Sequence, residues 1–166
     1  LDCSIAYGAA VSTDQGVICI GGRDSEQVFN TVFSLEWNPQ TQSITKKDLP
    51  SLPKNCAYTS ATKLGDVIYV AGGQSGLTPD TAMKNFWSLD LSETGSDDFG
   101  WQELAAWPGP SRALNITVAQ HNGVSDCIYV ISGTRLSEGA DKSKTEFLTD
   151  VYEYSPLKAL TDETEE

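Results

Sequence analysis

The residues of this sequence best suited to bind a charged ligand are its three arginines. Arg23 and Arg135 follow strand-like runs that end in glycine, and Arg112 precedes such a run. A guanidinium presents a rigid fork of N–H donors that binds a carboxylate through two hydrogen bonds. Together with Lys54, the arginines predict a binding site for an anion. The alternative is that each arginine pairs with an acid close to it.

Carboxylates accompany these cations. Asp24 and Glu26 follow the first arginine, and Glu138 and Asp141 follow the last. A carboxylate next to a bound ligand can remove a proton from it, and a protonated carboxyl can donate one. Asp24 and Glu138 are therefore candidate catalytic residues, and the alternative for each is a solvated loop acid.

Metal, cofactor and nucleotide sites are not predicted. The only histidine, His121, lies in an HNG turn, and the four cysteines form no C-x-x-C pair (Cys3, Cys19, Cys56, Cys127). Zinc and copper sites need clustered histidines or thiolates, which this pattern does not supply. The glycine pairs lack the G-x-G-x-x-G spacing and the following helix of a nucleotide site. We therefore expect no metal and no cofactor.

The charge of the chain argues against nucleic acid as a partner. Acidic side chains outnumber basic ones by 23 to 11, and the formal net charge is −12. A surface of that sign repels a phosphate backbone. The apolar runs have the length of strands and are too short to span a bilayer as helices, so no membrane partner is expected. Residues 157–166 are predicted to form a solvated acidic tail.

A recurring pattern organises the rest of the sequence. Three strand-like runs end in glycine, VICIGG at 17–22, VIYVAGG at 67–73 and IYVISG at 128–133, and their equivalent positions are 51 and 60 residues apart. Propeller blades of about 50 residues repeat with such a period. Tyr7 and Tyr58 stand at the same distance before the first two glycine pairs, which indicates a true repeat. The glycines are expected where the second strand leaves a crowded axis, because a Cβ would collide there and a positive φ is needed.

Each unit reads as strand, turn, strand, loop, strand, turn, strand, so the sequence predicts an all-β fold of four-stranded antiparallel propeller blades. The third unit has no sequence for a fourth strand. We predict three blades, the last incomplete, with bounds at 1–53, 54–110 and 111–156 ahead of the tail at 157–166. Three blades cannot close a ring. The remaining blades are expected from further chain or from a second copy.

The blades resemble kelch repeats, in which the second strand ends in Gly-Gly and the outermost strand opens with Trp, here Trp101. Two longer stretches resemble bacterial sialic acid mutarotases, also called N-acetylneuraminate epimerases. WQELAAWPGPSRALNITVAQHNGVSDCIYVISG is similar to the junction of that family's first two blades, and AYGAAVSTDQGVICIGGRDSEQVFNTVFSLEW is similar to its last blade. Because that blade comes first here, the order resembles the cyclically permuted branch of the family.

The resemblance implies a six-bladed kelch propeller, in a bacterial periplasmic or secreted setting, that interconverts the anomers of sialic acid. Arg112 matches an arginine that follows a Pro-Gly-Gly-Pro turn in the family, which implies a substrate-binding role. The family's proposed catalytic pair is a Glu with an Arg six residues later, in a middle blade that has no counterpart here. Glu138 and Lys144 have the same spacing in a different blade.

Two functions follow from these patterns. The first is a sugar-acid mutarotase or epimerase whose substrate carboxylate binds among Arg23, Arg112, Arg135 and Lys54. The second is a non-catalytic kelch propeller that binds a protein or a glycan through the same end, because a propeller fold by itself does not specify a reaction.

Overall fold

A computed structural model describes residues 4–136 and 144–156, and these residues form thirteen strands and two short 3-10 turns. The strands are β1 (Ala9–Thr13), β2 (Gly16–Arg23), β3 (Val28–Asn38), β4 (Ser43–Leu49), β5 (Ser60–Leu64), β6 (Val67–Ala71), β7 (Phe86–Asp90), β8 (Gln102–Glu103), β9 (Ile116–His121), β10 (Asp126–Ile131), β11 (Thr134–Leu136), β12 (Thr145–Phe147) and β13 (Val151–Tyr154). The turns are Pro79–Thr81 and Leu91–Glu93.

The strands form successive antiparallel sheets. The first sheet has the order β1-β2-β3-β4 and the second has the order β5-β6-β7-β8. The third contains three strands in the order β13-β10-β9. These sheets confirm the predicted all-β fold, with four-stranded antiparallel sheets of the kind that build propeller blades and, among residues 4–136 and 144–156, a last sheet of three strands.

Two elements differ from the sequence prediction. The outer strand that Trp101 opens is shorter than the sequence predicts, because β8 contains only Gln102–Glu103. The chain then turns inward and buries Trp107, whose indole N–H donates to the carbonyl of Pro110 at 2.8 Å. In addition, β11 and β12 pair as a ribbon where a loop was expected.

Apolar clusters fill the space between neighbouring sheets, because alternate residues of a strand point to opposite faces. Between the first and second sheets, Ile18 and Ile20 belong to one cluster with Ile68 and Trp87. The opposite face of the second sheet contributes Tyr69, Ala71 and Phe86 to a cluster with Ile128 and Val130 of the third. The second sheet is therefore covered on both faces, and it holds its neighbours side by side.

The glycine pairs have the predicted role. Gly21 and Gly72 have φ values of 59° and 65°, a left-handed conformation that few residues with a Cβ adopt. A Cβ on Gly21 would collide with the carbonyl oxygen of Cys56 in the segment that enters the second sheet. The positive φ and the collision of a Cβ are thus confirmed, and the structure adds that the colliding backbone belongs to the segment that enters the next sheet.

The described cysteines are free thiols that pack inside or at the edge of the sheets. Cys56 and Cys127 are fully buried, and Cys19 is partly exposed. Burial raises the pKa of the Cys56 thiol to about 12, so that this thiol stays protonated. His121 is exposed and its Nδ1 accepts a hydrogen bond from the N–H of Gly123, as expected for a turn residue.

Candidate functional site

Equivalent loops define one end of the sheets. The residue after each glycine-ended run forms an isolated antiparallel bridge with the segment that enters the first strand of the same sheet. The three bridges join Ala6 to Arg23, Ala57 to Gln74 and Ala113 to Thr134. Because the bridges occupy the same place in each sheet, Arg23 and the start of the Arg135 ribbon lie at the same end of their sheets.

A row of backbone hydrogen bonds connects the sheets at this end. The N–H of Tyr58 donates to the carbonyl of Tyr7 at 2.7 Å, and the N–H of Leu114 donates to the carbonyl of Tyr58 at 2.8 Å. The three residues have φ values of 59°, 54° and 56° in chain order. We refer to Tyr7, Tyr58 and Leu114 as the inter-sheet ladder.

Arg23 lies beside the first two residues of this ladder, in a cleft of about 550 Å³. Its Nε donates to the carbonyl of Asp24 at 2.7 Å. Its Nη1 makes two long contacts, 3.4 Å to the hydroxyl of Tyr58 and 3.5 Å to the carbonyl of Leu77. Among the described residues, these partners are all neutral oxygens, so the guanidinium keeps donor capacity for an anion.

Asp24 lines the same cleft, but its carboxylate also holds the loop between β2 and β3. Oδ1 accepts hydrogen bonds from the N–H groups of Glu26 at 2.7 Å and Gln27 at 2.8 Å. These backbone hydrogen bonds hold the pKa of Asp24 below its usual range. At neutral pH Asp24 is therefore ionised, and it can accept a proton but has none to donate.

Arg112 is placed differently, because its side chain is fully buried at one end of the third sheet. Nη1 and Nη2 donate to the two carboxylate oxygens of Asp150 at 2.8 and 2.9 Å, and Nη1 also donates to the carbonyl of Ser132 at 2.8 Å. The guanidinium lies over the rings of Trp107 and Tyr152, 5.1 and 5.2 Å from their centroids. These contacts favour the alternative in which this arginine pairs with a nearby acid, and its role as a substrate ligand stays a prediction.

The electrostatics of this pair follow from its geometry. The hydrogen bonds from Arg112 hold the pKa of the Asp150 carboxyl below its usual range. The hydroxyl of Tyr152 also donates to Asp150 Oδ2 at 2.8 Å, and that hydrogen bond raises the pKa of the phenol. The buried cation is thus matched by an ionised carboxylate at neutral pH.

Two other predicted residues within the described ranges, Arg135 and Lys54, do not line the Arg23 cleft. Arg135 Nε donates to Glu146 Oε2 at 2.8 Å across the β11–β12 ribbon. Lys54 is exposed in the segment between the first and second sheets. Glu138 lies outside the described residues. The structure therefore brings Arg23 and Asp24 together, whereas Arg112 and Arg135 each contact a carboxylate of their own.

Sequence reasoning did not identify Tyr7 and Tyr58 as candidate site residues. Both tyrosines line the Arg23 cleft together with Ser4 and Ser25. Their equal spacing before the glycine pairs was visible in the sequence, but it served only to align the repeats. The signal in the sequence is that an aromatic residue recurs at the same position of two repeats. The structure adds that the backbone there has a positive φ, which a bulky residue rarely adopts.

Two further findings concern residues 4–136 and 144–156. There, His, Cys, Asp and Glu side chains form no group of three or more that could hold a metal ion. Within the same ranges, no helix has the length and apolar character needed to cross a bilayer.

Curated relatives of this chain share one name. The chain is 34% identical to an N-acetylneuraminate epimerase of Pasteurella multocida over 107 residues, which cover 64% of this chain and 24% of that protein. Proteins of the same name from Yersinia enterocolitica and Salmonella typhimurium are 29% identical over 107 residues (64% of this chain, 24% of that protein) and 28% identical over 126 (76% and 28%). The chain thus spans about a quarter of the length of the curated relatives that it matches. No protein-family model matches the chain.

Proposed function

We propose that this chain is part of a sugar-acid mutarotase that accelerates the interconversion of sialic acid anomers. The observation that carries the proposal is the chain's similarity to several proteins named N-acetylneuraminate epimerase. The all-β architecture and the glycine-ended second strands support a kelch-type propeller, which further blades would close. We also propose the periplasmic or secreted location in bacteria that the resemblance implies.

The Arg23 cleft provides a place for the acidic group of such a substrate. A sialic acid carries a carboxylate on its anomeric carbon. Nη1 of Arg23 makes two long contacts, at 3.4 and 3.5 Å, so it can donate a shorter hydrogen bond to that carboxylate. A cleft of about 550 Å³ falls within the range of small-molecule sites, about 300–1,000 Å³. Bound there, the carboxylate would fix the anomeric centre next to the ladder tyrosines and Asp24.

Mutarotation requires two proton transfers and no cofactor. A base removes the proton of the anomeric hydroxyl while an acid protonates the ring oxygen, the ring opens, and it closes again on the other face of the carbonyl. Ionised Asp24 can serve as the base in this scheme. The acid is a separate group, for which Glu138 remains the candidate of this chain.

The proposal is tested by following anomer exchange of N-acetylneuraminate by NMR with the complete protein. We expect exchange well above the rate in buffer, and we expect Arg23→Ala to raise KM because the carboxylate ligand is lost. Asp48→Ala is a suitable control, because Asp48 forms an exposed ion pair with Lys46 on β4, outside the cleft. Saturable binding of the sugar without faster exchange would contradict the mutarotase proposal and would favour the non-catalytic binding propeller.

A further inference from the structure

The ladder tyrosines have a conformation that the fold imposes but that does not require an aromatic side chain. Tyr7, Tyr58 and Leu114 all have φ near 55°, and two inter-sheet hydrogen bonds hold them there. Leucine occupies the third position with the same geometry. The backbone therefore explains the positive φ at all three positions, while the aromatic rings at the first two need another reason.

The two rings form one aromatic surface at the cleft. Their centroids are 4.7 Å apart and their planes are inclined by 33°. The side chain of Tyr7 is 61% exposed although its backbone is fixed in the ladder. A fixed but exposed ring provides apolar contact area at little cost in side-chain entropy, which is a property of recognition surfaces.

Arg23 links this surface to an anion-binding group. Its Nη1 lies 3.4 Å from the hydroxyl of Tyr58, so the guanidinium sits at the edge of the aromatic pair. Ser4, Asp24 and Ser25 add polar groups to the same cleft. The cleft thus combines a cation, an exposed ring face and oxygen atoms that can accept or donate hydrogen bonds.

This combination matches a pyranose that carries a carboxylate. One face of such a ring presents C–H groups, which are weakly positive and favour the negative face of an aromatic ring. We propose that Tyr7 and Tyr58 form a platform on which the sugar ring lies while its carboxylate binds Arg23. The inference rests on the proposed function, and it assigns substrate selectivity to two residues that contribute no acid or base.

The test uses Tyr7→Leu in the complete protein, because the ladder already accepts leucine at the equivalent third position. The dissociation constant of N-acetylneuraminate is measured by NMR titration, and transfer of saturation from the tyrosine ring protons to the sugar C–H protons is recorded. We expect the dissociation constant to rise by roughly five- to tenfold, as for loss of an aromatic contact, and kcat to change little. Transfer to the sugar face that lies on the platform should weaken, because only the Tyr58 ring remains there.

Two further variants separate the ring from the backbone position. Tyr58→Phe keeps the ring and removes only the hydroxyl that Arg23 contacts, so affinity should fall much less than for Tyr7→Leu. Leu114→Ala truncates the third ladder position, where no ring is present, and should leave affinity unchanged. An equal loss of affinity in Leu114→Ala and Tyr7→Leu would overturn the platform, because the ladder rather than its rings would then be responsible.

The results also separate the platform from the proposed function. If wild-type protein accelerates exchange and Tyr7→Leu has the same dissociation constant and saturation pattern, the platform is wrong and the function stands. If wild-type protein binds the sugar without accelerating exchange, the function fails and the affinity of Tyr7→Leu still decides on the platform. If wild-type protein does not bind the sugar, both are wrong.

Discussion

Arg112 is the residue whose surroundings differ most from what its position in the sequence implies. Its position after the Pro-Gly-Pro turn resembles a substrate ligand, yet its guanidinium is enclosed by Asp150, Trp107 and Tyr152. A buried cation with a bidentate carboxylate partner is stabilised by that partner, and loss of either charge leaves the other uncompensated. Arg23, with only neutral oxygen partners among the described residues, is better placed to bind an anion.

We predict that Arg112→Ala lowers the free energy of unfolding by about 3 kcal/mol, since it removes a fully buried guanidinium together with its hydrogen bonds to Asp150, which is 31% exposed, and its contacts with two aromatic rings. Chemical denaturation measures this change. Asp48→Ala, which breaks the exposed Asp48–Lys46 pair, should cost less than about 1 kcal/mol. An unchanged melting temperature together with weaker binding of the sugar acid would instead support Arg112 as a ligand.

The same pair predicts a pH dependence of stability. Because Arg112 holds the pKa of Asp150 below its unfolded value, the folded state binds this proton less readily than the unfolded chain does. The stabilisation is therefore present above pH of about 4, near the unfolded pKa of an aspartate, and is lost as pH falls through the lower folded pKa. The free energy of unfolding, measured by chemical denaturation at several pH values from neutral to acidic, should decrease less steeply with falling pH for Asp150→Asn than for wild-type protein. Equal slopes would mean that Asp150 is not ion-paired in solution.

At the scale of the strands and loops, the glycine pairs set how closely neighbouring sheets approach. Gly22 and Gly73 donate their N–H groups to the carbonyls of Cys56 and Arg112 in the next sheet, both at 2.8 Å. These hydrogen bonds require the second strand to end against the incoming backbone of the next sheet. In the third sheet the first glycine is replaced by Ser132, which keeps the positive φ at 55°.

We predict that Gly21→Ala destabilises the protein far more than Gly65→Ala does. Both glycines have positive φ, 59° and 57°, but an added Cβ meets the Cys56 carbonyl at Gly21 and open space at Gly65. Positive φ alone should cost about 1 kcal/mol, and the clash should raise the loss at Gly21 to about 3 kcal/mol. The comparison by denaturation isolates the steric contribution. Equal losses would show that the sheets are not in close contact at this point.

At the scale of the whole molecule, the first and third sheets each have one face with exposed apolar side chains among the described residues. Ile116, Val118 and Val151 of the third sheet are 54%, 38% and 56% exposed. Thr117, between the first two, is buried on the opposite face, and its backbone N–H donates to the hydroxyl of Ser60 in the second sheet at 2.8 Å. On the first sheet, Trp37 and Ile44 are 60% and 64% exposed. Faces of this kind are covered in a closed propeller, where each blade packs against two others.

We predict that the 166-residue chain, produced by itself, associates in a concentration-dependent manner through these faces, because contiguous exposed apolar surface favours contact. Size-exclusion chromatography with light scattering measures the mass. Ile116→Lys should reduce association by placing a charge on the face. Val124→Lys should not, because Val124 is 90% exposed in the turn between β9 and β10. A chain that stays monomeric at all concentrations would contradict the prediction.

The sequence by itself determined the repeat, the all-β class and the three strands that the last sheet has among the described residues. These features are local: alternation of apolar residues specifies a strand, and a recurring glycine pair specifies where each second strand ends. The short β8 and the β11–β12 ribbon were missed, because the burial of Trp107 and the pairing of two brief segments depend on contacts between distant residues.

The tertiary structure decided which of the predicted residues share a site. Arginines at equivalent ends of three sheets looked alike in the sequence, but only the packed chain reveals that Asp150 and Glu146 contact two of them. It also places Tyr7 and Tyr58 in contact beside Arg23, although they are far apart in the chain. The physical reason is that the environment of a side chain comes from neighbouring sheets, and residue type and local spacing do not encode it.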